Sequence, residues 1–227
     1  HIKTYNLYGG SYGTRVAMAV MQHDPADLRA VVLSSTWPPE ANATAPLPGL
    51  VSRETRQVLR YCEADAACHV KYPGMEKRLD ALMTTWLKTP VVTKDHTYTD
   101  LLAAFLLDSI YSADGAHALP KTLNTIMGGN YKALETFEKT QAGYTEGQFF
   151  TTLCNEEFAF ENPAGLDKID AKDPIQVATA HDTRRFFAVC KAFNPGKPDP
   201  VENLPLTSAI PTLMLSADID AGCPAEL

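Results

Sequence analysis

The stretch Gly9-Gly10-Ser11-Tyr12-Gly13 constrains the fold more than any other part of this chain. Ahead of it, Thr4-Tyr5-Asn6-Leu7-Tyr8 has the composition of a short strand. After it, Val16, Ala17, Ala19, Val20 and Met21 give a helical pattern. Asp24-Pro25 stops that helix, because a proline and its predecessor both disfavour continuation. Leu28 to Leu33 follows as an apolar, β-branched run, the signature of a buried parallel strand. Strand, glycine turn, helix and strand make one βαβ unit, so the chain opens as an α/β fold.

Beyond Ser34 the pattern changes. Trp37-Pro38-Pro39 and the stretch Glu40 to Leu50, rich in Ala and Pro, read as a linker. From Val51 to about Tyr144 the periods are helical. Leu79, Leu82, Met83 and Trp86 fall at i, i+3, i+4 and i+7, one apolar stripe. Leu101 to Tyr111 is apolar on most sides, which predicts a buried helix, and Gly128-Gly129-Asn130 separates two further helical pieces. Pro211 to Ser216 returns to a strand signature. The pattern predicts a sheet domain formed by residues 1–39 and 206–227, with a helical insert over 40–205. No internal repeat or low-complexity tract interrupts it.

Composition sets outer bounds. With 45% hydrophobic and 21% charged residues among 227, the chain is globular in composition and not a disordered one. No apolar run approaches the roughly 18 residues of a membrane span. A net charge of -7 argues against a general nucleic-acid binder and mildly favours cationic partners. The five cysteines, Cys62, Cys68, Cys154, Cys190 and Cys223, include no Cys-x-x-Cys pair, so neither a zinc site nor a thioredoxin-like motif is expected. Their spacing alone leaves free thiols and disulfides equally open. The chain starts at His1 with no initiator Met or signal peptide, which reads as a processed chain or a piece of a longer protein.

The glycine turn also carries chemistry. It satisfies Gly-x-Ser-x-Gly with a strand before and a helix after, the frame in which a strained turn lifts a serine hydroxyl above a sheet. Small residues on both sides are expected, because strand and helix pass closely there. The helix N-terminus brings N–H groups and positive partial charge that suit a developing oxyanion, with the Tyr12 N–H as one donor. The alternatives are a glycine turn without chemistry and a phosphate cradle, the latter weakened because no Gly-Lys-Ser/Thr follows. No metal or other cofactor is expected. A serine nucleophile needs a base and the base an orienting acid. In the order Ser, acid, His the acid follows a late strand. Asp220 fits that place, with Asp218 its close competitor. No histidine follows Asp220; His1, His23, His69, His96, His117 and His181 all precede it, and none is assigned to a triad.

The chain resembles the secreted bacterial α/β-hydrolases related to proline iminopeptidase and tripeptidyl aminopeptidase. The likeness rests on Tyr8-Gly9-Gly10-Ser11-Tyr12-Gly13-Thr14 and on Cys62-Glu63-Ala64-Asp65-Ala66-Ala67-Cys68 with Tyr72-Pro73. It continues in Leu153-Cys154-Asn155-Glu156, in Cys190, and in Ile210-Pro211-Thr212-Leu213-Met214-Leu215-Ser216-Ala217-Asp218-Ile219-Asp220. Where relatives read Asp-Pro-Val-Thr-Pro, this chain has Asp220-Ala221-Gly222-Cys223-Pro224. The resemblance implies a partial α/β-hydrolase core with a large helical cap, Ser11 as nucleophile and Asp220 as triad acid. It also implies Cys62–Cys68 and Cys154–Cys190 disulfides, a free Cys223, and a secreted or periplasmic location. The family's opening strands, His-Gly oxyanion loop and final histidine segment have no counterpart, so the chain looks like the middle and cap of a longer enzyme.

On that basis the 227 residues alone are expected to be inert, with the sheet completed by the rest of the parent hydrolase or by another chain. The expected activity is that of a serine exopeptidase acting on peptides with a free N-terminus. Asn155-Glu156-Glu157 is the stretch expected to hold the substrate's amine, Glu156 ahead of Glu157, since a desolvated ammonium needs carboxylate partners. A solvated acidic turn is the alternative for that stretch. For the whole chain the alternatives are a carboxylesterase or lipase, and a non-catalytic hydrolase-like module that binds a ligand in the cap cleft.

Overall fold

The computed structural model describes residues 2–93, 96–141, 146–193 and 196–227; His1 and Tyr144, both named above, lie outside them. Strands β1 (Tyr5–Gly10), β2 (Leu28–Ser34) and β3 (Thr212–Leu215) form a parallel sheet in the order β1-β2-β3. β2 is central, with Gly10 and Leu215 both in register with its last residue, Ser34. Helix α1 (Tyr12–His23) connects β1 to β2 and packs Ala17, Met18 and Met21 against Leu28, Val31 and Leu33. It ends where Asp24-Pro25 predicts, the Asp24 N–H donating to Val20 O at 2.9 Å. The outer strands are less covered: Tyr8 in β1 is 69% exposed and Met214 in β3 is 58% exposed. The expected α/β class is observed as a mixed α/β fold with a small parallel sheet.

Between β2 and β3 run α2 (Leu47–Ala64), α3 (Ala66–Lys71), α4 (Met75–Lys88), α5 (Tyr98–Ile110), α6 (Ala113–Met127), α7 (Lys132–Gln141), α8 (Glu146–Glu156) and α9 (Pro174–Phe193). Short 3-10 turns span Pro163–Lys168 and Pro200–Asn203. The predicted stripe is buried, Leu79, Met83 and Trp86 inward with Leu82 beside them. α5 begins earlier than the apolar run suggests because Thr97 caps it, its hydroxyl accepting the Asp100 N–H at 3.0 Å. α2 begins inside the predicted linker. Its Pro48 falls in the first turn, where the missing N–H costs nothing, so a proline that reads as a breaker opens a helix. The main apolar core is helical, built around Leu59, Leu79, Leu102, Leu106 and Leu123, and it takes in Ala221 from beyond β3.

Cys62 is bonded to Cys68 and Cys154 to Cys190, while Cys223 is free and buried. This pairing fits a protein that folds in an oxidising compartment. The first bond closes the α2–α3 corner; the second ties α8 to α9. Among the described residues no helix is long and apolar enough to cross a membrane. Alkylation of denatured protein without reductant is expected to modify one thiol, that of Cys223. By loop entropy, removing the Cys154–Cys190 bond should cost about 4 kcal/mol in unfolding experiments, and removing the shorter Cys62–Cys68 ring about 2. Alkylation at more than one site in oxidised protein would contradict the pairing.

Candidate active site

Ser11 lies between β1 and α1 with φ 52° and ψ -125°, a positive φ on a residue that is not glycine. Such a backbone costs about 1–3 kcal/mol and persists only where its neighbours hold it. They do so from both sides. The Ser11 N–H donates to Ser34 O at 2.9 Å, which extends the β1–β2 ladder by one bond. The Ser11 carbonyl accepts the Thr14 N–H at 2.9 Å and the Thr14 hydroxyl at 2.7 Å. Thr14 is fully buried, and its hydroxyl in turn accepts the Trp37 N–H at 2.9 Å. The Ser11 side chain stays exposed. Tyr12 opens α1, so its N–H is among those with no intrahelical acceptor.

Close packing at the turn is one-sided. A Cβ on Gly9 would meet Gly13 O at 2.4 Å, whereas a Cβ on Gly13 would meet nothing within 4 Å. The strand glycine is therefore fixed by backbone contact, and the expectation of small residues on both sides holds at Gly9 alone. The neighbouring strand repeats the strain: Ser35, just after β2, also has φ 52°, its N–H donating to Leu215 O at 2.8 Å. Ser11, Ser35 and the loop after β3 thus share the carboxyl edge of the sheet, the edge at which open α/β sheets hold their ligands.

That loop carries Asp220 and Asp218, which the structure places differently. Asp220 is buried, and its Oδ1 accepts the N–H groups of Gly222 at 3.0 Å and Cys223 at 2.8 Å. Asp218 is exposed and accepts the Tyr61 hydroxyl. The buried Cys223 side chain lies beside Ser11. Its thiol is pushed up to about 11 by burial and then by the Asp220 charge, with the Ser11 contact pulling the other way. The thiol is therefore protonated at neutral pH.

Across the elbow, Glu156 closes α8 and both its carboxylate oxygens accept the Tyr12 hydroxyl, at 3.0 and 2.9 Å. Burial, then the bond to Glu156, push that phenol up to about 12, so it remains a donor. Glu157 turns the other way and pairs with Arg15. Both are buried, Arg15 at 9% and Glu157 at 4% exposure. Arg15 also donates to Pro39 O at 2.8 Å and Pro38 O at 3.3 Å, and lies 5.2 Å from the centre of the Trp37 ring. Burial pushes the Glu157 carboxyl up to about 8; Arg15 opposes the rise, and Glu161 and Glu156 add to it. The Cys154–Cys190 bond sits two residues before Glu156 and fixes this end of α8.

Three of the described histidines pair elsewhere, and His23 lines a cleft with Tyr12, Arg15 and Glu156. His69 pairs with Glu63 at 2.9 Å, His96 with Glu138 at 2.9 Å and His181 with Asp100 at 3.0 Å. His23 ends α1, about 18 Å along the helix axis from Ser11 at 1.5 Å per residue. Among the described residues no histidine ring is hydrogen-bonded to Ser11 or Asp220, and no group of three His, Cys, Asp or Glu side chains is arranged to hold a metal ion. Sequence reasoning missed Thr14, Arg15 and Ser35, and it missed the contact of Cys223 with Ser11. An Arg three residues into a helix after the elbow was the one local signal, since a charge on an otherwise apolar helix face needs a partner. Compared with known proteins, the chain matches no family model and no curated protein sequence.

The one-sided packing separates the two glycines. Gly9→Ala is expected to destabilise the protein by about 1–3 kcal/mol, because the obstructing atom is backbone. Gly13→Ala should be neutral or stabilise by up to about 1 kcal/mol, as for any glycine replaced in a helix. Equal losses in chemical denaturation would show that the turn does not pack in this way. Glu157 gives a pH signature. Its folded carboxyl lies above the ordinary 4.5, so the folded state binds more protons between about 4.5 and about 8, and stability falls as pH rises through that window. Glu157→Gln removes the titration, and the variant's Tm should decline less across the same range. Parallel Tm-against-pH curves for the two proteins would refute this.

Proposed function

We propose that this chain carries the nucleophile and acid of a serine hydrolase, an exopeptidase that releases residues from peptides with a free N-terminus. The observation that carries the reading is Ser11 itself, held at φ 52° on a strand-to-helix turn with its hydroxyl exposed at the sheet's carboxyl edge. A fold keeps such strain in a non-glycine residue where the position of the side chain matters. The resemblance in sequence to proline iminopeptidase and tripeptidyl aminopeptidase relatives supports the same reading, with an α/β-hydrolase core at 1–39 and 206–227 and a helical cap at 40–205.

In the proposed reaction Ser11 Oγ attacks the scissile carbonyl carbon and loses its proton to a base. The oxyanion is held by the Tyr12 N–H, the peptide amine leaves with a proton, and water hydrolyses the acyl-enzyme. Asp220 orients the base, its Oδ1 held in place by two backbone donors. The proposal draws the imidazole base and the second oxyanion donor from outside these residues. The exposed apolar side chains of β1 and β3 support further strands completing the sheet there. The substrate's ammonium is assigned to Glu156. A carboxylate accepts about four hydrogen bonds, so the Tyr12 hydroxyl leaves it capacity, whereas Glu157 is engaged with Arg15. The two disulfides support a secreted or periplasmic location.

Hydrolysis of free-amine and N-acetylated peptides by the full-length gene product tests this. Ser11→Ala and Asp220→Asn should lose activity on both, and Asp218→Asn on neither. Glu156→Gln should lower kcat/KM for free-amine peptides by about 2–4 kcal/mol and spare blocked ones. An active Ser11→Ala protein would end the hydrolase reading. Equal losses on both substrates in Glu156→Gln would move the assignment to an esterase.

A further inference from the structure

On the far side of the loop after β3, a cavity of about 690 Å³ opens between the end of α2, α3 and the start of α6. That size is within the roughly 300–1,000 Å³ of small-molecule sites. Its floor is apolar, made by Val58, Ala116, Pro120 and the Cys62–Cys68 bond, with Ile219 closing one side. Three basic side chains stand around it: Lys71 at the end of α3, and His117 with Lys121 four residues apart on one face of α6. Among the described residues none of the three forms an ion pair. In a chain of net charge -7, with carboxylates in excess, basic groups gathered without partners around an apolar floor are a selective feature. The carboxylate in the lining, Asp65, is committed to capping α3, accepting the Cys68 N–H at 2.7 Å.

We propose that this cleft binds an amphipathic monocarboxylate, its apolar body on the Val58–Ala116–Pro120 floor and its charge between Lys71, His117 and Lys121. The occupant meets the acid loop directly. Ile219 is in the wall, and on one side of it Asp218 accepts the hydroxyl of Tyr61, itself a wall residue, while on the other stands Asp220. The inference does not rest on the hydrolase reading, because binding is measured without turnover.

Titration calorimetry of the full-length protein with decanoate, decanol and decyltrimethylammonium tests it. Decanoate should bind at one site per chain, about tenfold more tightly than the cation of equal tail length. Lys71→Gln combined with Lys121→Gln should weaken decanoate about tenfold and leave decanol unchanged, the scale of two solvent-facing charge contacts. Both lysines are exposed and unpaired, so the fold does not depend on them. Ala67→Trp, at an exposed lining position, should block decanoate and decanol alike. The proposal is overturned if decanoate does not bind, if it binds no better than the cation, or if either variant binds it as the wild type does.

Discussion

The buried pair of Arg15 and Glu157 holds the elbow and the helical region in one arrangement. Arg15 rises from the second turn of α1, and its guanidinium reaches Glu157, the carbonyls of Pro38 and Pro39, and the ring of Trp37. A guanidinium so enclosed has no water to return to, so the groups that receive it, Glu157 and the two carbonyls, are fixed around it. Through this one side chain, α1, the chain leaving β2 and the end of α8 are located together. The position of Glu156 over Tyr12 follows from it, since Glu156 is the residue before Glu157.

The elbow shows the same economy. Ser11 is strained, and each group that holds it is itself held: Ser34 by the sheet, Thr14 by burial and by Trp37. Trp37 serves twice, donating its N–H to Thr14 and lending its ring to Arg15. The segment after β2, proline-rich and without regular structure, is therefore what couples the serine's backbone to the ion pair. Loss of packing at Trp37 would loosen both.

Local structure was legible in the sequence wherever a short-range rule sets it. The βαβ opening follows from glycines between a strand pattern and a helix pattern, and the stop at Asp24 from Pro25. The α4 stripe follows from its spacing. α2 was read too short because Pro46 and Pro48 look like breakers until the first-turn exception is applied. α9 escaped notice because its buried face includes Ala178, Thr179, Ala180 and Thr183, small or polar residues that carry little periodic signal. Ser11 and Asp220, the proposed nucleophile and acid, stand out in the sequence because they sit beside recognisable strands. The Tyr12–Glu156 bond spans 144 residues of sequence, and no local pattern encodes a contact of that range. The same holds for Cys223, whose place beside Ser11 depends on how β3 docks on β2. Two carboxylates adjacent in sequence, Glu156 and Glu157, look equivalent on paper; helix geometry sends one toward the elbow phenol and the other into the interior.

The bond between Cys154 and Cys190 adds a covalent restraint to the segment that Arg15 already holds. α8 packs on α9, and among its described residues it buries Cys154 alone, where α4 buries four residues and α5 eight. Neither cysteine belongs to the sheet's core or to the Leu79–Leu106 core; the two lie in a separate cluster with Phe158. The carboxylates over the elbow are held twice, by the contacts of Glu157 with Arg15 and of Glu156 with Tyr12, and by the covalent tie of α8 to α9. A reducing environment thus takes away one of the two restraints on the acidic roof and touches none of the side chains that make the two larger cores.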